Sequence, residues 1–115
     1  MAFPDEPIGP FTDVAQRLRC RVVGVKSATH NIRILRLAPD DGSMFTFRAG
    51  QYAALMFRDF PPRDYSMANR PGESILEFHI REEAGGDVSR FVVRDLALGE
   101  GAEVVGPFGE AFLRP

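Results

Sequence analysis

The sequence predicts an all-β domain: a six-stranded antiparallel Greek-key barrel with one short helix before the last strand. Three observations carry this. Beyond residue 16 most of the chain alternates apolar and polar residues in short period-two runs. Clusters of Gly, Pro, Asp and Asn separate those runs. A single segment near the C-terminal end has its apolar residues at helical spacing instead. Short antiparallel strands of this kind close on themselves because closure removes exposed sheet edges.

The elements follow in order. Residues 1–16 are expected to form a flexible lead, rich in prolines and acids and without periodicity. Residues 17–115 then form the barrel domain. Arg17-Leu18-Arg19-Cys20-Arg21-Val22 alternates, and Val23-Gly24-Val25 changes phase at a glycine, which predicts a β-bulge. Ile32-Arg33-Ile34-Leu35-Arg36-Leu37 is the second strand, followed by the turn Asp40-Asp41-Gly42-Ser43. Gln51 to Phe57 is nearly all apolar and is expected to be buried on both faces. Arg63 to Ala68 is the fourth strand. Ile75 to Glu82 is the fifth, with Leu76, Phe78 and Ile80 facing one way and Glu77, His79 and Arg81 the other. In the segment 87–96 the apolar residues fall at Val88, Phe91, Val92 and Leu96, the spacing of an amphipathic helix. Asp87 is the expected N-cap and Gly99 the stop. Ala102 to Val105 is the last strand.

Composition excludes several classes. At 115 residues with 44% apolar content and ten phenylalanines, the chain suffices for one domain with a real core. A net charge of −2 gives no basic field for nucleic acid or an anionic membrane. One cysteine, Cys20, allows neither an internal disulfide nor a cysteine-ligated metal or iron–sulfur site, and its alternating context marks it as a buried residue. His30 and His79 are too few and too far apart to propose a metal site. No segment approaches the roughly 20 apolar residues of a membrane helix, so a cytoplasmic protein is expected.

Two places carry chemistry. Gly85-Gly86 precedes the helix, and a helix start offers unpaired amides and partial positive charge that a phosphate can approach over glycine. Ser89 adds a hydroxyl in the first turn. In the strand RDYSMAN (63–69), Arg63 and Tyr65 share a face: a guanidinium suits phosphate oxygens and a phenol ring suits a flat heteroaromatic. Ser66 falls on the opposite face of a regular strand. Taken singly, the glycine pair is better read as a tight turn into a helix and the strand as one with ordinary exposed decoration.

Together they resemble the FAD-binding barrel of the ferredoxin–NADP⁺ reductase superfamily, in the bacterial branch of oxygenase reductases, flavin reductases and deoxysugar reductases. Arg63-Asp64-Tyr65-Ser66 is similar to that family's Arg-x-Tyr-Ser, and Gly86-Asp87-Val88-Ser89 to its Gly-x-x-Ser/Thr phosphate motif. Phe47 to Tyr52 (FRAGQY) is similar to its strand entry, and Gly106-Pro107-Phe108-Gly109 to its barrel-end turn. The resemblance implies FAD as cofactor. Arg63 would meet the pyrophosphate and Tyr65 the ring or ribityl chain. Ser66 would stand at the flavin N5 as the catalytic residue, with Met67 beside it. His79, Ile80 (through its backbone) and Arg81 would line the ribityl and phosphate path. Gly86, Val88 and Ser89 would hold the pyrophosphate. FMN is used on the same strand motif by some relatives, but the glycine pair favours the dinucleotide.

The family's nicotinamide-binding domain has no counterpart here: Gly99-Glu100-Gly101 lacks the third glycine of a dinucleotide fingerprint. The resemblance therefore implies the flavin-binding part of an NAD(P)H-dependent oxidoreductase, with NAD(P)H reaching it through another domain or subunit. A redox partner protein or small acceptor would receive the electrons. Two alternatives stand beside it: a flavin reductase using free flavin as substrate, and a non-catalytic barrel that has lost the cofactor.

Overall fold

The computed structural model describes residues 15–109. Six strands and one helix follow in the order β1 (Gln16–Thr29), β2 (Ile32–Pro39), β3 (Tyr52–Met56), β4 (Arg63–Ser66), β5 (Leu76–Arg81), α1 (Asp87–Arg94) and β6 (Gly101–Phe108). They form one antiparallel sheet ordered β4-β3-β6-β1-β2-β5, which curls into a nearly closed barrel. The flexible lead expected over residues 1–16 lies outside the described residues as far as residue 14, and β1 already begins at Gln16.

The sheet follows from the alternation. Cys20, Val22, Leu35, Leu37, Leu55, Leu76, Phe78, Ile80 and Val104 point inward with almost no exposure. The loop phenylalanines Phe45, Phe47 and Phe57 and the helix residues Val88, Phe91 and Val92 complete the core. The expected bulge is present: the β1–β2 register shifts between Val22 and Gly24. A Cβ on Gly24 would stand 3.2 Å from the Arg36 side chain, so the bulged position lies under a long side chain.

Three expectations need correction. The third strand is not buried on both faces. Ala53, Leu55 and Phe57 are buried, but Tyr52, Ala54 and Met56 between them are half-buried, because the outer face of β3 is only partly covered. β4 ends at Ser66 rather than Ala68. There the chain changes partners: the Met67 amide still donates to Gln51 O (3.3 Å), whereas that of Ala68 donates across to Glu77 O (2.8 Å). The helix is capped at Gly86, in extended conformation, not at Asp87, which is its first residue. It stops at Arg94 because the Asp95 and Leu96 amides both turn back onto Phe91 O. Gly99, at φ +88°, instead shapes the next turn, which is stitched to β1 through Gly99 N to Val22 O and Val22 N to Glu100 O, both 2.8 Å.

The two end strands, β4 and β5, meet without a continuous ladder. At one end the gap is clasped by the Ala68–Glu77 bond and by Glu77 N donating to Asn69 Oδ1 at 2.9 Å. At the other end, around Arg63 and Arg81, it stays open, and α1 sits beside it.

Candidate functional site

A cleft of about 190 Å³ occupies this open end. Arg63, Asp64 and Tyr65 of β4 form one wall and Arg81 of β5 another. Glu83, Gly86, Val88 and Ser89, leading into α1, form the floor. The fold thus gathers six residues singled out from sequence: Arg63, Tyr65, Arg81, Gly86, Val88 and Ser89. Arg63 and Tyr65 both line the cleft, and so does Asp64 between them. Tyr65 is half-buried and packs against the core. Burial pushes its phenol above the ordinary tyrosine value, with Arg63 opposing and Glu83 adding to the rise. Arg63 is exposed and donates to the neighbouring Pro62 O at 3.0 Å.

The floor is shaped by the glycine pair. Gly85 has φ +76°, a left-handed conformation that glycine adopts without strain. Gly86 has no room for a side chain: a Cβ there would lie 2.9 Å from Ser89 Oγ and 3.3 Å from Glu83 O. The Gly86 amide donates to Glu83 O (2.9 Å), closing the turn. The amides of Asp87, Val88 and Ser89 have no acceptor among the described residues. Three unpaired donors at the positive end of a helix, with two guanidinium groups on the flanking strands, suit a phosphate group. The donor set fits the pyrophosphate of a dinucleotide flavin, and a β-carbon at Gly86 would fill part of the floor.

Ser89 plays a different part from the one its motif suggests. Its hydroxyl accepts the Glu83 amide (3.0 Å) and donates to Gly86 O (3.2 Å), so it braces the turn. Ser66 is exposed at the end of β4, opposite Tyr52, outside the cleft lining. Met67 is half-buried against the core. His79 is exposed, with Nε2 3.0 Å from Glu77 Oε2, and does not line the cleft. The Ile80 side chain is fully buried, which leaves only its backbone for a ligand.

Sequence reasoning missed Asp64 and Glu83, two carboxylates that make the cleft's formal charge balanced against Arg63 and Arg81. It also missed Arg33, whose side chain reaches from β2 to the far end of α1: its Nη1 donates to Val92 O and Leu96 O, each at 2.8 Å. Only the pairing of β2 with the helix end could have revealed this, and strand alternation gave no hint of it. Among the described residues no His/Cys/Asp/Glu group can hold a metal, and no helix is long and apolar enough to cross a membrane.

The chain resembles known proteins in sequence and in fold. The family model for the oxidoreductase FAD-binding domain matches residues 19–112. The ferredoxin–NAD(P)⁺ reductase component of a naphthalene 1,2-dioxygenase system from Pseudomonas putida is 41% identical over 103 residues, covering 90% of this chain and 31% of that protein. The phenol hydroxylase P5 protein of Acinetobacter pittii is 34% identical, covering 88% and 29%. Among solved structures, an Amycolatopsis cytochrome P450 reductase superposes with a TM-score of 0.81 at 31% identity, over 93% of this chain and 32% of that one. The chain therefore spans about a third of the length of the relatives it matches, and it belongs to the oxidoreductase FAD-binding domain family.

Proposed function

We propose that the chain binds FAD in the cleft between β4, β5 and α1, as the flavin-binding part of an NAD(P)H-dependent reductase that feeds an oxygenase system through a ferredoxin or directly. The observation that carries this is the convergence of Arg63, Arg81 and the unpaired helix amides of Val88 and Ser89 on one cleft at the open end of the barrel. The identity of the relatives as oxygenase reductase components supports the wider role.

Arg63 and Arg81 neutralise the two phosphates from opposite walls, and the amides of Val88 and Ser89 donate hydrogen bonds to them from below. Tyr65 offers a half-buried ring at the mouth for stacking of a flat heterocycle. Ser66 and Met67, on the next turn of the chain, stand where β4 leaves β3, and the exposed Ser66 hydroxyl is free to donate to a polar ring edge. Along β5 from Arg81, the backbone of Ile80 and then His79 continue the path beyond the cleft lining itself. Bound flavin supplies the exchange between a two-electron nicotinamide donor and an acceptor. The domain or subunit presenting the nicotinamide would approach this open end.

Fluorescence titration of the purified chain with FAD tests the reading. Saturable quenching that Arg63→Ala weakens about tenfold or more is expected, from one charge-assisted phosphate contact. An equal response to riboflavin and FAD would transfer the assignment to a free-flavin reductase, and no response to any flavin would leave a non-catalytic barrel.

A further inference from the structure

We infer that Arg33 is a positioning residue for the anion-binding end of the cleft: it fixes, through α1, where the amides of Asp87, Val88 and Ser89 stand relative to Arg81. The inference rests on the phosphate reading of the cleft given above.

Arg33 belongs to β2, where it pairs with Ile80 of β5, and its neighbour Ile32 pairs with Arg81. Arg33 and Arg81 are thus set by the same two strands. From that frame Arg33 crosses to the last turn of α1 and holds Val92 O and Leu96 O, 59 and 63 residues away in sequence. An eight-residue helix is a short rod of about 12 Å. Pinning its C-terminal end on β2 fixes the direction in which its N-terminal amides point. The ladder places Arg81, and Arg33 places the amides, so one pair of strands aligns both halves of the anion grip.

Stabilisation alone accounts less well for this arginine. Its Nε is buried with no acceptor among the described residues. Leaving a buried donor unpaired offsets much of what a hydrogen bond to a charged group contributes. An arginine that carries this cost while bridging a strand and a helix end is explained by the geometry it enforces. A guanidinium at the negative end of the helix dipole is also favourable, but that attraction alone does not need two fixed carbonyl contacts.

The experiment compares FAD and riboflavin affinities of the wild type with those of Arg33→Met, alongside the melting temperature of each flavin-free protein. Riboflavin shares the ring and ribityl chain and lacks phosphate. Arg33→Met is expected to weaken FAD about tenfold, the equivalent of about 1.4 kcal/mol, and to change riboflavin less than twofold. Equal losses for both ligands, or no loss for either, would overturn the positioning role and leave the FAD reading intact. A wild type that does not prefer FAD over riboflavin would overturn the FAD reading, and this inference with it. Should Arg33→Met not fold, Arg33→Lys carries the test. It keeps the charge but is shorter by about one bond, so a partial, FAD-selective loss is expected. A folded Arg33→Lys with the wild-type ratio would sink the proposal.

Discussion

The Ser89 hydroxyl accepts the amide hydrogen of Glu83 at 3.0 Å while donating to Gly86 O at 3.2 Å. A residue that the sequence motif marks for ligand contact is thereby the brace of the loop beneath the ligand. The loop 83–86 closes on itself through Glu83 O and the Gly86 amide, and Ser89 locks it from the helix side. With those backbone groups paired, the amides after Gly86 are left as unpaired donors, those of Val88 and Ser89 in the cleft floor.

Ser89→Ala should therefore lower stability as well as binding. Ser89 is 6% exposed, so the substitution leaves the Glu83 amide hydrogen without its partner in a poorly solvated place. A cost of about 1–3 kcal/mol is expected. Thermal unfolding of the flavin-free protein measures it, and an unchanged melting temperature would show that the brace is dispensable.

The two glycines should fail for different reasons. At Gly85 nothing crowds a β-carbon, but φ is +76°, so Gly85→Ala should cost about 1–2 kcal/mol through backbone strain. Gly85→Asn, which tolerates that region, should recover part of the loss. At Gly86 the backbone is ordinary but a β-carbon would stand 2.9 Å from Ser89 Oγ. Gly86→Ala should therefore displace Ser89 and weaken FAD more than riboflavin. Denaturant unfolding combined with the two titrations separates strain from crowding.

These cases show what was legible in the sequence and what was not. Period-two runs gave most strands, because in a curled antiparallel sheet the buried face is read directly from alternation at residues such as Leu76, Phe78 and Ile80; β3 was read from its apolar run instead, which hid its half-covered outer face. The bulge at Gly24 was legible because a phase change at glycine has few other meanings. The N-cap was misplaced by one residue because Asp87 has the usual capping chemistry, whereas here Gly86 takes the extended conformation and no side chain caps the end. Arg63, Arg81 and the glycine loop were found because spacing or motif marks them. Glu83 and Arg33 were not, since their significance depends on which strand end meets which helix end across 50 or more residues for Arg33 and on a cleft wall for Glu83.

Charge in the cleft gives a prediction of opposite sign to the rest. Glu83 lines the same wall-and-floor junction as the two arginines. Glu83→Gln removes a negative charge from the neighbourhood of bound phosphate, and near 4 Å in water a unit charge pair is worth about 1 kcal/mol. FAD affinity should rise about threefold to tenfold at low ionic strength, and the gain should shrink on adding salt. Titrations at two salt concentrations check this; weaker FAD binding by Glu83→Gln would mean that the carboxylate holds a cleft group in place.

The alkaline limb of the stability profile should report Cys20. The thiol is 1% exposed, and burial, helped by the negative charges of Asp40 and Asp41, pushes its pKa from 9.0 up to about 12. The folded state therefore keeps the proton over a range in which the unfolded chain releases it. Stability from this source is complete below about pH 9 and declines as pH rises toward about 12, because ionisation of the thiol favours the unfolded state. Tyr65, whose phenol is also raised by burial, acts in the same direction at higher pH than its ordinary value. Cys20→Val keeps an apolar side chain of similar size and removes the thiol titration, so its unfolding free energy should fall less steeply than that of the wild type above pH 9. A thiol reagent should label the wild type only as fast as it unfolds. Parallel pH dependences for the two proteins, or rapid labelling under native conditions, would show that Cys20 is open to solvent and does not contribute to the alkaline limb.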